Sequence, residues 1–233
     1  DGYWRNSAWL DAPTRDSDPL DSACDLTVDI IHAYISATPG LLCLHSAAVV
    51  FYDGLYLILG GYGSGKSLLT SYLSYLGTVV YTDDTLPINS ENQGVVLSML
   101  PRLRLPLPED IDTNFKKYVQ RMCLLRNNRY CYLRLDTIQM PLIHTSAPIA
   151  GIILLNRSND IPPKLVKIGK SEALRELILR NFAREKPLDI VDRLMTLVNN
   201  RNCFRLTYSN IRSGAELLIS GFSGKNQLFE NTQ

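Results

Sequence analysis

The sequence contains no C-x-x-C pair, and its five cysteines, Cys24, Cys43, Cys123, Cys131 and Cys203, are scattered and odd in number. That pattern disfavours a disulfide framework and a structural zinc site; a reducing, cytoplasmic setting is the simpler expectation. No apolar run reaches about 18 residues, which argues against a membrane-spanning helix. Neither sign of charge prevails: 24 Lys and Arg face 23 Asp and Glu, for a formal net charge of +1. The field of the whole chain therefore favours no anionic partner, and any phosphate site has to be local. No interleaving of basic and aromatic residues marks a nucleic-acid surface. Internal repeats and low-complexity tracts are missing as well. No Met and no signal-like segment opens the chain at Asp1, so residues upstream are expected.

What is present is an ordinary globular mixture. Apolar residues make up 45% and charged residues 20% of 233 positions, enough for one large core. Residues 1–40 read as a polar arm, or the remnant of a small subdomain, ending in a helix over 24–38. Residues 41–224 read as the main domain and 225–233 as a polar tail. Within the main domain, Leu41–Val50 is apolar, Asp53-Gly54 signals a hairpin turn, and Leu55–Leu59 is a short strand. A helix is expected from Lys66 to Leu76, capped at Gly77, and a strand over Thr78–Thr82. Further helices are expected over 111–127, over 171–183 with Ser171 as N-cap and Leu174, Leu177, Ile178 and Phe182 as the apolar stripe, over 187–200 and over 213–220. Strands are expected over 130–135, 149–156 and 203–208, a turn over 159–163, and strands broken by prolines over 85–110.

Between the first strand and its helix stands Gly60-Gly61-Tyr62-Gly63-Ser64-Gly65-Lys66-Ser67, a full match to the P-loop pattern G-x-x-x-x-G-K-S/T. Glycines let such a loop turn its N–H groups inward onto phosphate oxygens, and the following helix adds its positive end. Gly61, Tyr62, Gly63, Ser64, Gly65, Lys66, Ser67 and Leu68 are therefore expected to bind a nucleoside triphosphate. Lys66 reaches the β- and γ-phosphates, and the Ser67 hydroxyl ligates Mg²⁺. Strand before and helix after is the context the motif requires. A glycine-rich fragment at Gly221–Lys225 lacks the spacing and reads as a tail turn.

Asp83-Asp84 is the second feature. A ten-residue helix carries the chain about 15 Å away from the loop, and the strand Thr78–Thr82 brings it back by about 17 Å. The two carboxylates are thus expected beside the P-loop, one to hold the metal and one to take a proton from an attacking hydroxyl. His45, in the segment ahead of the P-loop strand, is either a plain buried histidine or a participant in proton transfer. Arg102 and Arg104 flank Leu103 and share a strand face. They either clamp phosphates or an acidic peptide, or simply form a solvated face, which is the plainer reading.

The stretch LHSAAVVFYDGLYLILGGYGSGKSLLTSYLSYLGTVVYTDDTLPI (Leu44–Ile88) resembles the catalytic core of HPr kinase/phosphorylase and its smaller relatives, some of which phosphorylate lasso-peptide precursors. Ala147–Leu155 and Phe204–Ile219 resemble the smaller relatives more weakly. The family's downstream glycine-rich signature has no counterpart, and residues 89–140 align with none of it. The resemblance implies an α/β fold of the HPr kinase and phosphoenolpyruvate carboxykinase type, a twisted mixed β-sheet with flanking helices. It implies transfer of the γ-phosphoryl of ATP, with Mg²⁺, to a serine hydroxyl of a peptide or protein. It further implies Asp83 as general base, Asp84 as metal partner, and His45 supporting Asp83 or the phosphoryl group. Two alternatives stay open beside it: a small-molecule kinase acting on a free serine-type alcohol, and a nucleotide-binding module without catalysis. A GTPase is disfavoured, because Asn156–Asp160 reads N-R-S-N-D where an N-K-x-D motif would stand. Preference for ATP over GTP, the reverse reaction and a homo-oligomer are left open.

Overall fold

Strand β5 (Gly54–Leu59) is apolar and buried along nearly its whole length, which suits the centre of a sheet covered on both faces. The computed structural model describes residues 2–7, 10–52, 54–158, 161–182 and 187–223. Around β5 lies a mixed nine-stranded sheet. On one side β5 pairs antiparallel with β4 (Ala47–Phe51), and β4 with β6 (Val79–Thr82). On the other side β5 runs parallel to the long β12 (Ser146–Arg157), and β12 runs parallel to β14 (Asn202–Tyr208), whose outer neighbour is β13 (Lys164–Lys167). The start of β12 pairs instead with β8 (Gln93–Val95), which leads through β7 (Thr85–Ile88) to β3 (Leu42–His45).

Strands β3 and β4 are one ribbon interrupted at Ser46, and β6 and β7 are its partner, interrupted at Asp83-Asp84. His45 opposes Thr85 on one side of the break, and Ala48 opposes Thr82 on the other. The break in the second ribbon has a local cause. The Thr82 hydroxyl accepts the N–H groups of Asp84 and Thr85, both at 3.2 Å, and so turns the chain out of the ladder. The two acids stand where the sheet lets go of them.

Helix α2 (Lys66–Tyr75) follows β5 directly. Gly77 closes it in the left-handed region at φ 91°, with Gly77 N–H on Ser74 O and Thr78 N–H on Leu73 O, a Schellman ending that frees the chain to start β6. Helices α3 (Thr113–Met122) and α6 (Ile211–Gly221) pack beside α2. Tyr72, Tyr75, Phe115 and Tyr118 interlock there, with ring centroids 4.7–5.9 Å apart. Helices α4 (Lys170–Arg180) and α5 (Pro187–Asn199) pack on each other, and α4 also covers β3, β5 and β12.

A small sheet of β9 (Arg102–Arg104), β11 (Tyr130–Leu133) and β10 (Cys123–Arg126) stands apart from the main one. The chain opens with a hairpin, β1 (Tyr3–Arg5) and β2 (Thr14–Asp16), and with α1 (Pro19–Ala37). Arg5 ties the hairpin to α1 through Asp29 and Asp25, while Asn127 and Arg129 of the β10–β11 turn hold its first turn through Asp18 and Asp21. Ile31 and Ile35 of α1 pack with Cys43, Leu97, Met99 and Phe182.

Several expected elements shift. Helix α1 begins at Pro19 rather than residue 24, because the Asp18 carboxylate caps it, accepting from Leu20 N and Asp21 N. The helix expected over 111–127 stops at Met122; Cys123–Arg126 pairs with β11, and that pairing overrides helical spacing. Helix α4 is preceded by Gly169, and Ser171 lies inside its first turn without capping it. Ala173 and Leu177 form its buried stripe, whereas Ile178 is 43% exposed and Phe182 lies beyond the helix end. Strand β13 was not expected at all, since only four residues alternate. Asp53, Asn159, Asp160, Ala183 and everything from Gly224 onward lie outside the described residues, including the tail at 225–233.

Candidate active site

The loop from Gly60 to Gly65 joins the end of β5 to the start of α2. Gly63 and Gly65 have φ of 75° and 90°, the left-handed region expected of such a loop. Gly60 serves differently: a Cβ there would meet Ser64 Oγ at 2.5 Å, so the position needs an absent side chain rather than an unusual torsion. Tyr208, at the end of β14, supports the loop from below. Its hydroxyl donates to Ser64 O at 3.3 Å and would lie 2.9 Å from any Cβ on Gly65.

Lys66 is buried, and its Nζ donates to Gly60 O at 2.9 Å. Burial lowers its pKa, against the pull of Asp84 and with Arg180 adding to the lowering. Asp83 is 2% exposed. Its Oδ2 accepts the Arg102 N–H at 3.0 Å, and Ser67 stands close enough to favour its ionised form. Burial first and the Asp84 charge second raise its pKa to about 7, so the carboxyl titrates near neutrality. Asp84 is the more open of the pair, and His45 Nδ1 stands 3.3 Å from its Oδ1. Burial lowers the His45 pKa; Asp84 opposes this, and Lys66, Arg180 and Arg102 reinforce it.

The structure brings the sequence-proposed residues around one pocket, except that Asp83 lines the cavity next to it. A pocket of about 280 Å³ is lined by Gly61 through Leu68 together with His45, Asp84, Arg102, Arg104 and Arg157. Arg104 is not a bare solvated cation: its guanidinium lies 4.1 Å from the Tyr62 ring centroid, across the mouth of the loop. A second cavity, of about 520 Å³, opens beyond Ser67, Asp84 and Arg102, which line both, and Asp83 faces this second cavity.

Three contributors escaped the sequence reading. Arg157 ends β12 and lines the pocket. Arg180 ends α4, where Phe182 N–H bonds Cys43 O and Asn181 bridges Leu44, so the helix end is pinned to β3 and Arg180 reaches to 3.6 Å from a Cβ position on Gly61. Tyr208 props the loop. None belongs to a local motif; a cation at the end of a long apolar strand was the one available signal, for Arg157.

The residues fit a bound triphosphate with its metal. Cations surround the loop, and two buried polar atoms at the cradle, Ser64 Oγ and Arg180 Nε, have no hydrogen-bond partner among the described residues. No cluster of three or more His, Cys, Asp or Glu capable of caging a metal occurs among the described residues.

No protein-family model matches the chain, and no curated protein matches it. Among solved structures it is similar to the HPr(Ser) kinase/phosphatase from Coxiella burnetii, at 15% identity and a TM-score of 0.38, over 80% of this chain and 96% of that one. Among the described residues, no helix is long and apolar enough to cross a membrane.

Proposed function

We propose that this chain is a P-loop kinase that transfers the γ-phosphoryl group of ATP to a serine hydroxyl of a peptide or protein. The observation that carries the reading is the near-neutral, buried Asp83 carboxyl, set between the lysine-bearing loop and the second cavity. The triphosphate lies along Gly61–Leu68, with Lys66, Arg104, Arg157 and Arg180 neutralising it. Ser67 and Asp84 would hold Mg²⁺, which would supply charge neutralisation to the transferring group. The acceptor oxygen attacks the γ-phosphorus, its proton passes to Asp83, and the bond to the β–γ bridging oxygen breaks to release ADP. His45 orients Asp84. Arg102 presents its N–H to Asp83 and its side chain to the acceptor side.

One observation favours exchanging the two acids. Ser67 acts on Asp83, lowering its pKa against the effect of burial, which would make Asp83 the group that orients the metal ligand. The same experiment separates the two assignments. The protein is incubated with γ-labelled Mg-ATP and serine-containing peptides, and Mg-nucleotide affinity is measured alongside. Asp83→Asn is expected to lower transfer at least about 100-fold with affinity little changed, and Asp84→Asn to weaken Mg-nucleotide binding. The reverse pattern exchanges the roles. Full transfer by both variants sinks the kinase mechanism.

A further inference from the structure

The second cavity is apolar over most of its wall. Its only Asp, Glu, Lys or Arg residues are Asp83, Asp84 and Arg102, all at the end shared with the nucleotide pocket. The rest of the wall comes from α1, from the segment 97–100, from β10–β11 and from Ile143 and His144. At its mouth stand Ile30, Leu125 and Ile143, which are 59%, 48% and 55% exposed and belong to three separate parts of the chain. Side chains of this size left facing water around one opening mark a binding surface. At about 520 Å³ the cavity falls in the range of sites that enclose a ligand far larger than free serine.

Segment 97–100 supplies the second observation. It runs between β8 and β9 along the cavity wall, yet Leu97, Ser98, Met99 and Leu100 make no backbone hydrogen bond with any described residue. Ser98 has φ 53°, a left-handed kink rare for a non-glycine residue. Backbone donors and acceptors so placed beside an apolar wall are the template on which an extended peptide adds itself as a strand. A lipid-like alcohol would satisfy the apolar wall and leave those groups unpaired.

We infer that this cavity is the acceptor site, and that it takes an extended peptide whose residues next to the phosphorylated serine are apolar and uncharged. The inference rests on the kinase reading above and names its substrate class. The peptide lays its backbone along Leu97–Leu100, places its apolar side chains against α1 and Leu125, and brings its hydroxyl to Asp83 at the shared end.

The test uses the full chain and two synthetic peptides of equal length. One carries a central serine flanked by Leu and Val, the other the same serine flanked by Lys and Glu. Binding is read by fluorescence anisotropy and transfer by γ-labelled Mg-ATP. The apolar peptide is expected to bind at least tenfold more tightly. Ile30→Glu and Leu125→Glu, two independent substitutions of exposed residues, are each expected to weaken its binding tenfold or more. Tyr52→Glu, at the far end of β4, serves as the control and is expected to change neither. Equal binding of both peptides, or indifference to Ile30→Glu and Leu125→Glu, overturns the inference while transfer to either peptide keeps the kinase reading. Phosphorylation of a long-chain alcohol in place of both peptides also overturns it. So does a dimer by light scattering that Ile30→Glu splits, since a second copy would then occupy the groove. Tight, variant-sensitive binding of the apolar peptide without transfer supports the groove and removes the kinase reading instead.

Discussion

Asp83 holds its proton to a higher pH than it would in an unfolded chain, because burial and the Asp84 charge both penalise its ionised form. The sign of the consequence is fixed. The folded protein binds more protons than the unfolded chain between the ordinary carboxylate range and about pH 7, so stability falls as pH rises through that window. Asp83→Asn removes the ionisation and keeps the shape. In urea titrations without nucleotide or metal, the variant is expected to exceed the native protein in stability at pH 8 by at least about 1 kcal/mol. The gap is expected to shrink steadily toward pH 4. A gap independent of pH would show that Asp83 is ionised throughout. At this same scale the sequence was informative about identities and less so about reasons. The placing of Asp83 and Asp84 beside Lys66 was legible from one motif and one spacing, whereas the sequence leaves His45 open between a plain buried histidine and a participant in proton transfer. Arg180 was not legible, because its place depends on how the end of α4 is pinned to β3.

Elements were legible where a turn or cap dictated them. The helix α2 and its end at Gly77 followed from glycine alone, and that end is open to a direct test. A Cβ at Gly77 meets nothing within 4 Å, so Gly77→Ala isolates the cost of φ 91°. Denaturant unfolding is expected to show a loss of about 1 kcal/mol with an unchanged slope. A neutral result would mean that the helix ends otherwise in solution. Elements were misread where a distant partner decided them. Cys123–Arg126 carries a spacing that continues α3, yet β11 captures it as a strand. Strand β13 exists because the exposed edge of β14 offers it a ladder. The Thr82 hydroxyl that breaks the β6–β7 ribbon lies one residue before the acid pair, so its part in presenting them was within reach of a local reading.

Across the whole molecule, the sheet was legible in kind and the arrangement around it was not. Residues 89–140 gave only prolines and scattered apolar positions, and they supply β8 of the main sheet, α3, and the small sheet that carries Arg102 and Arg104 to the pocket at the glycine-rich loop. Helix α1, read as part of an arm, forms a wall of the second cavity. Both outcomes depend on contacts between segments about 100 residues apart, such as Asn127 with Asp18 and Asp21, which no local window contains.

The two cavities share only Ser67, Asp84 and Arg102. On the proposed kinase reading, donor and acceptor would occupy neighbouring cavities that meet at these three residues, so neither would have to leave before the other arrives. No residue of the chain need carry the phosphoryl group in between. Initial rates taken over a grid of ATP and peptide concentrations are expected to give double-reciprocal lines that intersect, the signature of a ternary complex. Parallel lines would call for a phosphorylated enzyme. Product inhibition is expected to show that either substrate can bind first.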